Sequence, residues 1–177
     1  MQANRLAPRA EGFGAYRWAQ LLIIASVYEG SERKRPLTLD RLAIYEFFSA
    51  HPFLIFDTAT SIGRALVRAG LEPRSLTYAS APDRLANRRQ RVQADVTDLV
   101  ARNLINVVVR DGRLALELSD EGESTAERLG SLHAQAVRES AKEVIAKLDR
   151  LADRTLRSRA TTWTQHNALM IDILEAT

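Results

Sequence analysis

INVVVRDGRLALELSDEG, residues 105–122, places two apolar runs on either side of an Asp-Gly pair. That pattern predicts a β-hairpin, because a two-residue turn needs backbone conformations that Asp tolerates and Gly adopts freely. Closing the turn at Asp111-Gly112 pairs Val109 with Leu114, Val107 with Leu116 and Ile105 with Leu118. One face of the hairpin is then wholly apolar and is expected to pack on a helical bundle. The same register sets Arg110 against Arg113. Two like charges face to face cost roughly 0.2–1 kcal/mol, a penalty that an anion or an acidic neighbour between them removes.

Upstream, the periodicity is helical. A first helix is predicted over 15–28, apolar on nearly every side from Leu21 to Ile24 and therefore central to the fold. Thr38 can cap a second helix whose Leu39, Leu42, Ala43, Phe47 and Phe48 keep helical spacing until Pro52. Asp57 or Ser61 begins a third, with Ile62, Ala65, Leu66 and Ala69 in a stripe closed by Gly70. Residues 71–79 read as a connector.

Ser80-Ala81-Pro82-Asp83 has the form of a capping box with proline in the first turn, and opens a fourth helix reaching about residue 103. Leu85, Val92, Val96, Leu99 and Val100 form its buried stripe. Arg84, Arg88, Arg91, Asp95, Asp98 and Arg102 recur at steps of three and four and are expected on the solvent side, where Arg91–Asp95 and Asp98–Arg102 can pair. After the hairpin, Ser119 or Asp120 caps one long helix that runs past residue 150, followed by a last apolar group, Trp163, Leu169, Met170, Ile173 and Leu174.

This order predicts a mainly α protein with a small β-hairpin: a flexible N-terminal segment (1–14), a winged-helix domain (15–120) and a helical C-terminal extension (121–177). The 177-residue chain can bury roughly 70% of its unfolded surface. It has no cysteine, which excludes disulfides, thiol nucleophiles and cysteine-based metal sites and fits a reducing compartment. The first residues lack the apolar run of a signal peptide, and AQLLIIASVY (19–28) is too short to span a bilayer, so a cytoplasmic location is expected.

The net charge is +3, with arginine far outnumbering lysine. Guanidinium groups suit phosphate or carboxylate partners. In a DNA-binding reading, Arg84, Arg88 and Arg91 lie at the start of the recognition helix and Arg110 and Arg113 straddle a phosphate from the hairpin tip. In the other reading the same arginines receive acidic groups of a protein partner. Trp163 either locks the tail onto the first helix or, with Leu169, Met170 and Ile173, anchors another subunit.

No catalytic, cofactor or metal constellation is found. The three histidines, His51, His133 and His166, have no second ligand at metal spacing, and there is no phosphate-binding glycine loop, G-x-S-x-G elbow or H-E-x-x-H. A non-enzymatic role is expected.

RLAIYEFFSAHPFLI (41–55), SLTYASAPDRLANRRQRVQADVTDLVARNLIN (75–106), LELSDEGESTAERLGSLHAQAVRESAKEVI (116–145) and the late TTW (161–163) together resemble the middle component of ABC-three-component systems, the small accessory subunit of Lamassu-type antiphage defence. The resemblance implies a scaffold working beside an ATPase of the structural-maintenance-of-chromosomes (SMC) type and a nuclease-like effector, bridging the two. The chain departs from the pattern at His133 and Glu143, where aromatic residues are expected, and at Gln165-His166, where an acidic-aromatic pair is expected. The competing reading is a homodimeric transcription regulator of MarR or PadR type, which also joins a winged helix to flanking dimerisation helices.

Overall fold

The computed structural model describes residues 14–32, 35–73 and 80–175, with side chains as far as residue 165. Residues 1–13 of the expected flexible segment and most of the expected connector lie outside that range, and Gly14 begins the first helix. The chain forms eight α-helices and one two-stranded antiparallel sheet among the described residues. No described helix is long and apolar enough to cross a membrane.

α1 (Gly14–Glu29) is the axis of the molecule. Leu21, Leu22, Ile23, Ile24, Ala25 and Tyr28 are all buried, a run that a helix can bury only when neighbours surround it. Those neighbours come from both halves of the sequence. α2 (Leu39–Ala50) packs on it, and its first turn is capped by the Thr38 hydroxyl, which accepts from Arg41 N at 3.3 Å. A 3-10 turn (Pro52–Leu54) stops α2 at the proline. α3 (Ser61–Arg68) is capped by Thr60 rather than by Asp57 or Ser61; the Thr60 hydroxyl accepts from Gly63 N at 3.0 Å.

The fourth helix predicted from sequence is two helices, α4 (Ala81–Ala86) and α5 (Arg88–Ala101), broken at Asn87. Ser80 makes no side-chain cap bond, so the capping box is not formed. The Asn87 amide donates back to Asp83 O at 2.9 Å and satisfies a carbonyl at the break. Each piece faces a different neighbour: α4 packs on the C-terminal helix, and α5 on α2 and α1. A straight helix would miss one of these surfaces. α5 ends in a left-handed Asn103 (φ 58), with Asn103 N donating to Val100 O and Leu104 N to Leu99 O at 2.9 Å each. This Schellman ending turns the chain into the hairpin.

β1 (Ile105–Arg110) and β2 (Arg113–Leu118) pair in the register read from sequence, from Ile105 with Leu118 to Arg110 with Arg113. Asp111 (φ 50) and Gly112 (φ 71) supply the two positive φ angles of a type I′ turn.

The single long helix expected after the hairpin is three: α6 (Asp120–Arg128), α7 (Leu132–Leu148) and α8 (Asp153–Glu175). Ser119 caps α6 and Ser131 caps α7, their hydroxyls accepting from Gly122 N and Ala134 N at 3.0 and 3.1 Å. Arg138 donates to Leu129 O and Ala126 O at 2.6 Å, the latter also accepting from Leu129 N at 3.2 Å, which ties α7 to the carbonyls where α6 ends. The apolar stripe of α7, including Val137, Ala141, Val144, Ile145 and Leu148, is buried by the chain's own helices, chiefly α1 and α2. One continuous core runs from Leu21 to Ala160.

α6 approaches the α5–β1 connector so closely that a Cβ on Gly122 would lie 2.0 Å from Leu104 O. The obstacle is backbone and cannot swing aside. Gly122→Ala should therefore destabilise the fold by about 3 kcal/mol, the upper part of the range for overpacking, in chemical denaturation.

Candidate functional site

The hairpin and the arginines around it form the candidate interaction surface. Only its base enters the core: Ile105 and Leu116 are buried, while Val107, Val109 and Leu114 are 50%, 68% and 68% exposed. These three account for half of the large apolar side chains exposed among the described residues; the others, Val67, Val100 and Leu132, lie on three different helices. The apolar face thus covers the bundle at one end and is bare at the other, which corrects the expectation that all of it packs inward. The opposite face is partly covered, with Ala115 buried.

The tip arginines are not awaiting an anion. Arg110 makes a two-pronged pair with Glu117, at 2.7 and 3.2 Å, on its own face of the hairpin. Arg113 reaches Asp153 at the start of α8. Both stay more than half exposed. The carboxylates that cancel the repulsion between them belong to the chain itself.

Asp153 also joins the tip to a buried hub. Arg41, 1% exposed, donates to Asp153 at 2.8 Å, Tyr45 Oη at 2.7 Å, Asp149 at 3.3 Å and Leu151 O at 2.5 Å. Tyr45 donates to Asp149 at 3.0 Å. One guanidinium therefore fastens the turn between α7 and α8 to α2. Burial drives the Tyr45 phenol far above its ordinary range, so it remains a donor. For Asp153, burial acts to raise the carboxyl, but Arg41 and Arg113 outweigh it and hold the group below its ordinary value.

A carboxyl held low stabilises the fold above its unfolded pKa, here 3.8, and that contribution fades as pH falls through the lower folded value. Arg113→Ala should move the Asp153 titration upward and bring its loss of stability to higher pH. The cost at neutral pH should be below about 1 kcal/mol, since Arg113 is exposed. NMR titration of Asp153 with urea melts from pH 2 to 6 checks both statements.

The arginines of the expected recognition helix divide. Arg88 is buried, 8% exposed, and makes a bidentate pair with the buried Glu46 of α2. Burial pushes the Glu46 carboxyl up despite that partner. Asp95, expected on the solvent side beside Arg91, is also buried and is gripped by Arg17 of α1 at 2.8–3.1 Å. Two of the side chains assigned to solvent, Arg88 and Asp95, thus bolt α5 to α2 and α1, while Asp98 and Arg102 are exposed. Arg91 is exposed and Arg84 half-buried. They flank a shallow cavity of about 490 Å³ at the α4–α5 break, with Arg88 in its wall. Arg102 lies 4.4 Å above the Trp18 ring rather than pairing with Asp98.

Trp163 is half-buried and meets Phe48 of α2 edge to face, with ring centres 5.6 Å apart. This contact holds that part of α8 against α2. Leu169, Met170 and Ile173 lie outside the described side chains. His51 is buried, its Nδ1 2.9 Å from Phe47 O, and His133 Nε2 lies 2.6 Å from the Tyr16 hydroxyl. No group of three or more acidic or histidine side chains able to hold a metal occurs among the described residues.

Comparison with curated proteins and with solved structures yields no match. A family model does match: Middle Component 2 of ABC-three-component (ABC-3C) systems, over residues 30–168. That span runs from the loop after α1 into α8 and contains the Arg41 hub, the Glu46–Arg88 pair and the whole hairpin. With most of its length matched, the chain belongs to the Middle Component 2 family of ABC-three-component systems.

Proposed function

We propose that the chain is a non-enzymatic accessory subunit of a Lamassu-type antiphage defence complex, bridging an SMC-type ATPase to a nuclease-like effector in the cytoplasm. The family membership supports a role among protein partners. The observation that carries the reading is the bare apolar end of the hairpin, which holds three of the six large apolar side chains exposed among the described residues. Exposed contiguous apolar surface in a soluble protein marks a protein interface more often than a nucleic-acid one.

The order α3, α4–α5 and hairpin supports a winged-helix reading of this part of the fold. Contact with DNA is the subordinate part of the proposal. Arg88 is committed to Glu46, and Arg110 and Arg113 must exchange their carboxylates before they can meet a phosphate. Arg91 and Arg84, at the α4–α5 break, are the arginines of α4 and α5 best placed for a phosphate backbone. Acidic protein groups could exchange with Glu117 and Asp153 at the tip in the same way.

A tagged copy expressed with its neighbouring genes tests this reading. It should recover an ATPase bearing a phosphate-binding loop on a long coiled coil, together with the effector. Recovery of the chain only as a homodimer that binds a palindromic duplex tightly and specifically would replace it with the MarR or PadR reading.

A further inference from the structure

The two edges of the hairpin are treated differently by the rest of the chain. In a hairpin closed by a two-residue turn, Arg110 and Arg113 form a hydrogen-bonded pair, and the ladder then alternates. Leu114, Leu116 and Leu118 on β2, and Ile105, Val107 and Val109 on β1, therefore turn their backbone groups outward. On the β2 side the outward donors are used: Leu116 N donates to Leu37 O at 2.8 Å and Leu118 N to a Glu29 carboxylate oxygen at 2.7 Å. On the β1 side, Val107 and Val109 have no backbone partner among the described residues.

Among the described residues that open edge lacks the usual protections. Soluble proteins guard edges with lysine, proline, a bulge or a covering loop. β1 reads INVVVR, pairs without a bulge, and presents Val107 and Val109 to solvent beside Leu114. An unsatisfied row of N–H and C=O groups next to an apolar strip fits an extended peptide segment, whose backbone completes the ladder while alternate side chains join the strip.

We infer that the outer edge of β1 receives an extended strand from an unlike protein subunit, one that carries alternating aliphatic residues and a carboxylate near Arg110. This rests on the accessory-subunit reading and says how that subunit is gripped. The charge argument is local: Arg110 and Arg113 stand at the open end of the strand, 61% and 57% exposed, on a chain of net charge +3. An acidic side chain on the incoming strand would extend the Arg110–Glu117 pair into a row. An unlike subunit is favoured over a second copy by charge. Two copies joined at β1 would lengthen the sheet with a strand, INVVVR, that brings no carboxylate to Arg110. A different protein can bring both the strand and the layer that covers it.

The experiment is hydrogen exchange on the chain alone and in the complex assembled by co-expression, with two variants. Val109→Pro deletes an N–H that points away from β2, so the hairpin's own ladder is kept. Val107→Lys with Val109→Lys leaves the backbone intact but charges the strip. Thermal melts of the free variants establish that each folds. The amides of Val107 and Val109 should exchange at least about tenfold more slowly in the complex, as expected for hydrogen bonds that open only with the assembly. Each folded variant should be retained by the partners at least about tenfold more weakly. A complex that forms with those amides unprotected, or that keeps both variants as well as the parent chain, overturns the inference and leaves the accessory role standing. Failure to form any complex removes both. Protection that grows with the concentration of the chain alone would instead assign the edge to a second copy.

Discussion

Arg41→Met is expected to cost about 3–5 kcal/mol of folding stability, the loss associated with removing one member of a buried ion pair. Methionine fills much of the space with apolar atoms but cannot donate. Asp149, 5% exposed, then keeps only Tyr45 among the partners described for it in this hub, and Leu151 O loses its donor. A buried carboxylate that loses its cation is expensive, so the penalty arises chiefly from what the change leaves behind. Combining Arg41→Met with Asp149→Leu should recover part of the loss, because the buried negative charge goes too. Asp153 should titrate higher in the single variant, since its largest stabilising partner is gone. Against a typical total of about 5–15 kcal/mol, a loss of this size brings the protein near unfolding at body temperature. Urea denaturation of the two variants with the parent checks the magnitude and the rescue.

The second large effect concerns Arg88. Arg88→Met leaves Glu46, 4% exposed, without the cation that offsets its burial, and about 3–5 kcal/mol should be lost at pH 7. The pH dependence runs opposite to that at Asp153. The Glu46 carboxyl is already raised above its ordinary 4.5, and losing Arg88 raises it further. A carboxyl raised in the folded state contributes most below the unfolded pKa, and that contribution disappears as pH rises through the folded value. The deficit of Arg88→Met relative to the parent should therefore shrink as the pH is lowered from 7 towards 4.5. Denaturation midpoints measured across that interval decide it. A deficit independent of pH would mean that packing, and not the ion pair, holds α5 to α2.

These two clusters are what the sequence could not disclose. Arg41, Glu46, Arg88 and Asp95 sit on helices at spacings that suit a solvated face, and charged residues are rarely buried. Their oppositely charged partners are 42 to 112 residues away, beyond any rule based on neighbours three or four apart. Helix breaks were hidden for a related reason. Val137 to Leu148 keep the phase of the apolar stripe that precedes them, and periodicity cannot see a short turn that preserves it. The signals were present in Gly130-Ser131, a glycine followed by a capping serine, and in Asn87. The hairpin was legible because alternation and Asp-Gly act at short range, as does the Thr38 cap. Its register follows from the turn, but which end of its apolar face is covered depends on where the bundle stops.

In the proposed role, that uncovered end is what places the protein between other subunits. The ATPase and effector of the proposed complex can be co-expressed with and without this chain and the mass of the resulting particles measured under native conditions. A bridge predicts one particle containing all three components, separation of ATPase from effector when the chain is omitted, and reassembly when the purified chain is added back. Association of ATPase and effector to the same extent in its absence would contradict the account.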